Sequence, residues 1–144
     1  MFKRIGFLVY GTIVYVIFLL VFLYTIGFVG NFQIDVGAFQ FVPKGMDTGG
    51  ADWPWWQALL LDVMLLGVFA IQHSVMARRG FKRLWTRVIP AAVERSTYVL
   101  ASSLALILLY AFWQPIAGTL WIVQDETARV ALIGLSLIGW GISW

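Results

Sequence analysis

A run of 25 residues, from Ile5 to Val29, passes without one charged side chain. Wound as a helix it would extend about 37 Å, enough to cross roughly 30 Å of hydrocarbon with some tilt. In lipid such a segment must hydrogen-bond its own backbone, and a helix does so. Met1-Phe2-Lys3-Arg4 ahead of it resembles the basic opening of a secretory signal. The run is about twice the length of a signal core, however, and no small-x-small cleavage site closes it, so it is read as a retained first span.

The rest of the chain agrees. Of 144 residues, 61% are hydrophobic and 12% are charged, against about 25% charged in soluble domains. Polar side chains are too few to cover a water-exposed surface. That excludes a soluble enzyme, a nucleic-acid binder and a disordered chain. The net charge of +3 does not point to nucleic acid, because the basic residues flank apolar spans. With no cysteine, the chain has no disulfide, thiolate nucleophile or thiolate metal ligand.

Three more spans follow, at about 56–76, 96–115 and 127–144, giving an all-α polytopic membrane helix bundle in one transmembrane domain over 1–144. Only 15 residues lie beyond Arg129, about 22 Å of helix, which falls short of a bilayer. The fourth helix is therefore expected to be truncated, and the chain to be the N-terminal part of a longer one. Lys3, Arg4, Arg78, Arg79, Lys82, Arg83, Arg87 and Arg95 flank one set of span ends; the opposite loops hold Lys44 among Asp35, Asp47 and Asp52, then Asp125, Glu126 and Arg129. The positive-inside rule predicts a cytoplasmic N-terminus. Trp53, Trp55, Trp56, Trp113 and Trp121 are expected in an outer interfacial belt, and 37–50, rich in Gly and Pro, as an irregular outer loop.

Polar residues inside spans are costly and mark candidate sites. Asp62 is expected to be hydrated near the outer interface. His73, the single histidine, falls near the inner end of span two on the same helical face, but about 16 Å away, so the two cannot form an acid–base pair. His73 could carry a proton, ligate haem or a metal, or donate to a cofactor, or simply be a satisfied interfacial residue. Without a second ligand at metal spacing, no metal is expected. The segment 78–87 alternates basic and apolar residues, as an interfacial amphipathic segment would. At the start of span three, Arg95, Tyr98 and Ser102 share a face at spacings of three and four, and Glu94 can pair with a basic residue of the loop.

The stretch Leu65 to Arg87, containing Gln72-His73-Ser74-Val75-Met76-Ala77, and the stretch Val93-Glu94-Arg95-Ser96-Thr97-Tyr98-Val99-Leu100 resemble the bacterial methanethiol S-methyltransferases. Tyr24 to Asn31 and Phe41 to Lys44 are similar to the same group. That group belongs to the NnrU-like membrane proteins and is distantly related to isoprenylcysteine carboxyl methyltransferases. The resemblance implies methyl transfer from S-adenosylmethionine to a small thiol, methanethiol becoming dimethyl sulfide, in a multi-pass protein of the bacterial inner membrane. Family members continue further, with an Arg-His-Pro turn and a helix with paired glutamates that hold the cofactor. Neither motif occurs in this sequence, so the resemblance assigns no cofactor-binding residue, and the 144 residues alone are expected to be inactive. His73, Arg95 and Tyr98 are the candidates to line the catalytic pocket, by their chemistry rather than by the resemblance. Two other readings stand beside this one. A haem-binding NnrU-like isomerase would use His73 on iron, and a small membrane scaffold would use no chemistry. The expected partners are the lipid bilayer and a small thiol, with no nucleic acid; nothing in the sequence sets the oligomeric state.

Overall fold

Helix α1, Phe2–Gly30, carries the first apolar run at full length. It ends where Asn31 takes a left-handed conformation at φ 52°. Phe32 N–H then donates to Gly27 O at 2.8 Å and Asn31 N–H to Phe28 O at 3.4 Å, the pattern that satisfies the last carbonyls of a helix through a left-handed residue. In this computed structural model every residue is described except Met1, Gln33, Ile34, Gly37, Ala38, Ala117, Thr119, Leu120, Trp121, Ser143 and Trp144. A minimal antiparallel hairpin follows α1, β1 Asp35–Val36 paired with β2 Phe39–Gln40, and an irregular segment then leads to α2.

The remaining helices are α2 Trp55–Ala77, α3 Arg79–Trp85, α4 Ala91–Phe112 and α5 Glu126–Ile142. Pro54 and Pro90 stand immediately ahead of α2 and α4, where a residue without an N–H costs the opening turn nothing. Among the described residues, three helices are long and apolar enough to cross a membrane: α1, α2 and α4. At 17 residues α5 is shorter, about 25 Å, and the tail of the fourth expected span, 143–144, lies outside the described residues.

Over the third expected span, 96–115, the helix itself runs Ala91–Phe112. Its first turn winds from Pro90, whose carbonyl accepts from Val93 N–H. At its far end Trp113 is extended and Pro115 disfavours helix in the residue before it. Within the basic segment 78–87, α3 forms a helix of seven residues.

Helix α4 is the centre of the bundle. Tyr10 meets Thr97 at 3.1 Å and Thr25 meets Tyr110 at 2.6 Å, so α1 and α4 run parallel. His73 approaches Ser102 and Asp62 approaches Gln114, so α2 and α4 run antiparallel. Lys3, Arg4 and the basic α3 consequently share one end. Val21, Phe28, Leu65, Leu109, Tyr110 and Trp113 form the buried core. Outward faces remain apolar, with Leu8, Ile13, Leu60, Val63, Ile71 and Leu104 all exposed, the distribution of helices solvated by lipid rather than water. Helix α5 buries no residue; its Trp140 meets Phe22 of α1 edge-on at 5.6 Å.

At the outer end, Gly27 lets the 41–46 segment settle on α1, because a Cβ there would come within 2.7 Å of Val42. Val42 is itself 2% exposed. Two expectations are overturned at this end. Asp62 is 3% exposed rather than hydrated: its Oδ1 accepts from Gln114 N–H at 2.9 Å, which caps the chain as it leaves α4. Trp113 is turned into the core rather than exposed to an interface, its ring edge-on to Phe28 and its Nε1–H donating to Met46 O at 2.9 Å. Trp53, Trp55 and Trp56 are exposed as expected; Trp121 lies outside the described residues.

Candidate active site

His73 sits one turn before the end of α2, its ring tilted against Phe69 at 5.4 Å and facing the first turns of α4. Its Nδ1 lies 3.3 Å from Ser102 Oγ. The Tyr98 phenol oxygen stands 3.1 Å from Nδ1 and 3.0 Å from Nε2. Those two nitrogens are separated by a single ring carbon, so an oxygen equidistant from both at this range lies over the ring edge and in line with neither lone pair. Tyr98 therefore fixes the tilt of the imidazole. The ring is exposed on the surface of the chain.

The neighbours extend this arrangement. Gln72 Nε2 donates to Ser102 Oγ at 3.4 Å and to Met76 Sδ at 3.2 Å. Helix α3 folds back so that Lys82 Nζ stands 5.8 Å from the centre of the Tyr98 ring and 4.0 Å from Glu94, the loop pairing expected for Glu94. Of the three candidates, the structure brings His73 and Tyr98 together and leaves Arg95 apart. Arg95 lines a separate hollow of about 370 Å³ on the α1 side of α4, with Gly11, Tyr15 and Phe18. One helical face is wide enough to serve two neighbours, and α4 is gripped by α2 on one flank and by α1 on the other. In the sequence Gln72 stands out only as a member of the Gln72-His73-Ser74 triplet and Lys82 only as one basic residue of the 78–87 segment, because the partners that define their roles lie on other helices.

Among the described residues, no three His, Cys, Asp or Glu side chains gather as a metal-binding group. The arrangement instead suits proton transfer: an accessible imidazole held by hydroxyls, in a position to accept a proton from a small acid.

Over 138 residues, 96% of the chain, the sequence is 47% identical to the methanethiol S-methyltransferase of Mycobacterium tuberculosis, of which it covers 53%. Over all 144 residues it is 43% identical to methanethiol S-methyltransferase 2 of Bradyrhizobium diazoefficiens, covering 52% of that protein. The chain is a homologue of the methanethiol S-methyltransferases. It spans about half the length of the curated methyltransferases it matches. A shorter stretch of 71 residues, 48% of the chain, is 38% identical to nurim of Danio rerio. No protein-family model matches the chain, and no solved structure does.

Proposed function

We propose that the chain is the membrane-embedded, N-terminal part of an S-adenosylmethionine-dependent thiol methyltransferase that converts methanethiol to dimethyl sulfide. The observation that carries this reading is the identity of 47% with a protein of that name across nearly the whole chain, to which His73 adds a proton acceptor. The methyl donor supplies an electrophilic carbon. This chain's residues work on the other reactant, since they offer neither the Arg-His-Pro turn nor the paired glutamates that would hold the donor.

A thiol is a poor nucleophile until it loses its proton. In the tautomer that places the hydrogen on Nδ1, His73 donates to Ser102 Oγ and turns the Nε2 lone pair outward. The S–H bond of a thiol seated there breaks, Nε2 takes the proton, and the electron pair stays on sulfur. Ser102 and Gln72 hold the tautomer, and Tyr98 holds the tilt. Positioning of this kind and one proton transfer are what the transfer asks of the protein. Arg95 lies outside this thiol site.

In the same reading the protein crosses the bacterial inner membrane with α1, α2 and α4, α5 is the opening part of a fourth span, and the N-terminus and α3 lie inside. The gathering of basic residues at one end of the α1–α4–α2 bundle supports that orientation. Dimethyl sulfide assays on membranes test the function. The protein at the length of its relatives is expected to release dimethyl sulfide from methanethiol and S-adenosylmethionine. Membranes holding these 144 residues alone are expected to match the empty-membrane background, and release above it would overturn this division of labour.

A further inference from the structure

At the end of the bundle away from His73, α1 and α4 part to leave a hollow of about 430 Å³, within the range of ligand sites. Its deeper walls, including Leu20 and Ile107, are apolar; Tyr24 and Tyr110 flank its upper part, and Phe41 and Lys44 close over it. Both phenols are already partnered, Tyr24 donating to Lys44 O at 3.2 Å and Tyr110 paired with Thr25 at 2.6 Å. Among the described residues, Lys44 is the one charged residue in the lining. Its ammonium gives one hydrogen to Ala111 O at 3.1 Å and has two more to give.

The level of this ammonium in the bilayer follows from the helix register. Thr25 is opposite Tyr110, so Ala111 and Lys44 stand beside the last turn and a half of α1, where the uncharged run 5–29 closes. Hydrocarbon gives way to phosphate at that depth. Burial pushes the Lys44 pKa down, and the neighbouring Asp62 carboxylate pushes it back towards the charged form. At this half-buried position an anionic group answers the remaining ammonium hydrogens more strongly than a neutral one.

We propose that this hollow holds one anionic phospholipid of the leaflet opposite α3, its acyl chain between α1 and α4 and its phosphate on Lys44. A single net negative charge matches the single cation, whereas a zwitterionic headgroup brings its own. The site stands independently of the methyl-transfer reading.

Native mass spectrometry of the purified chain, offered phosphatidylglycerol, phosphatidylcholine and oleic acid in equal amounts, tests it. One phosphatidylglycerol is expected to be retained, preferred over the other two. Lys44→Gln should weaken that retention roughly five- to tenfold, while Lys44→Arg keeps it. Ile107→Trp, which fills the hollow and leaves the charge in place, should abolish it, and Lys3→Gln at the far end should change nothing. Equal retention of phosphatidylglycerol and phosphatidylcholine, preference for the fatty acid, or undiminished retention by Ile107→Trp would each overturn the proposal.

Discussion

The phenol oxygen of Tyr98 stands over the imidazole edge of His73, 3.0 Å from Nε2 and 3.1 Å from Nδ1, while Ser102 lies 3.3 Å from Nδ1. If Nε2 takes the thiol proton, His73→Ala should lower the kcat for dimethyl sulfide formation about a hundredfold or more. Tyr98→Phe, which keeps the ring and loses only the hydroxyl, should cost roughly tenfold. Ser102→Ala should lower kcat with KM for the methyl donor unchanged, and Ser102→Thr should restore most of it. Headspace gas chromatography on membranes matched for protein level measures all four. A His73→Ala turnover equal to wild type would return His73 to a structural role.

Asp62 ties α2 to the chain leaving α4 through Gln114 N–H at 2.9 Å. Asp62→Ala strands that buried donor and removes the counter-charge beside Lys44, which should cost about 1–3 kcal/mol. Asp62→Asn keeps an acceptor in place and should cost less. Thermal unfolding in detergent, followed by tryptophan fluorescence, ranks the two, with Asp62→Ala expected to unfold at the lower temperature.

Lys44 carries a pH signature of defined sign. Burial holds its folded pKa below the ordinary lysine value of 10.5. Well below the folded value both states are charged and the native state bears the whole burial penalty. As pH rises through the folded value towards 10.5, the native state loses its proton first and the penalty fades. Stability attributable to Lys44 therefore rises with pH in that window. Unfolding midpoints of wild type and Lys44→Met, compared at neutral pH and near pH 10, should show the variant's advantage shrinking as pH climbs.

The absence of cysteine makes the topology directly readable. Gly80→Cys in α3 and Thr48→Cys in the opposite loop each place one thiol on an otherwise unreactive chain. A membrane-impermeant maleimide added to intact cells should label Thr48→Cys and should reach Gly80→Cys only after the membrane is opened. The reverse pattern would contradict the N-inside orientation.

Much of this architecture was legible from charge and length. The run 5–29 could hardly be anything but a span, and α1 exceeds it by a few residues at most. Helix edges were harder, because Pro90 starts α4 five residues ahead of the apolar run while Trp113 and Pro115 end it early. Asp62 and Trp113 were misjudged for a common reason. Each looked like a boundary residue by position, but each is buried by a partner far along the chain, Gln114 for Asp62 and Met46 for Trp113. For the site, helical spacing correctly put Tyr98 and Ser102 together. It also added Arg95, because periodicity along one helix does not say which flank of that face meets which neighbour.

Methyl transfer itself is tested most directly by isotope. Membranes holding the protein at the length of its relatives are given methanethiol and S-adenosylmethionine carrying a trideuterated methyl group, and the dimethyl sulfide in the headspace is weighed by mass spectrometry. The account predicts dimethyl sulfide heavier by the mass of three deuterium substitutions, sharply reduced in His73→Ala. Dimethyl sulfide that stays unlabelled, or at the level of membranes lacking the protein, would contradict it.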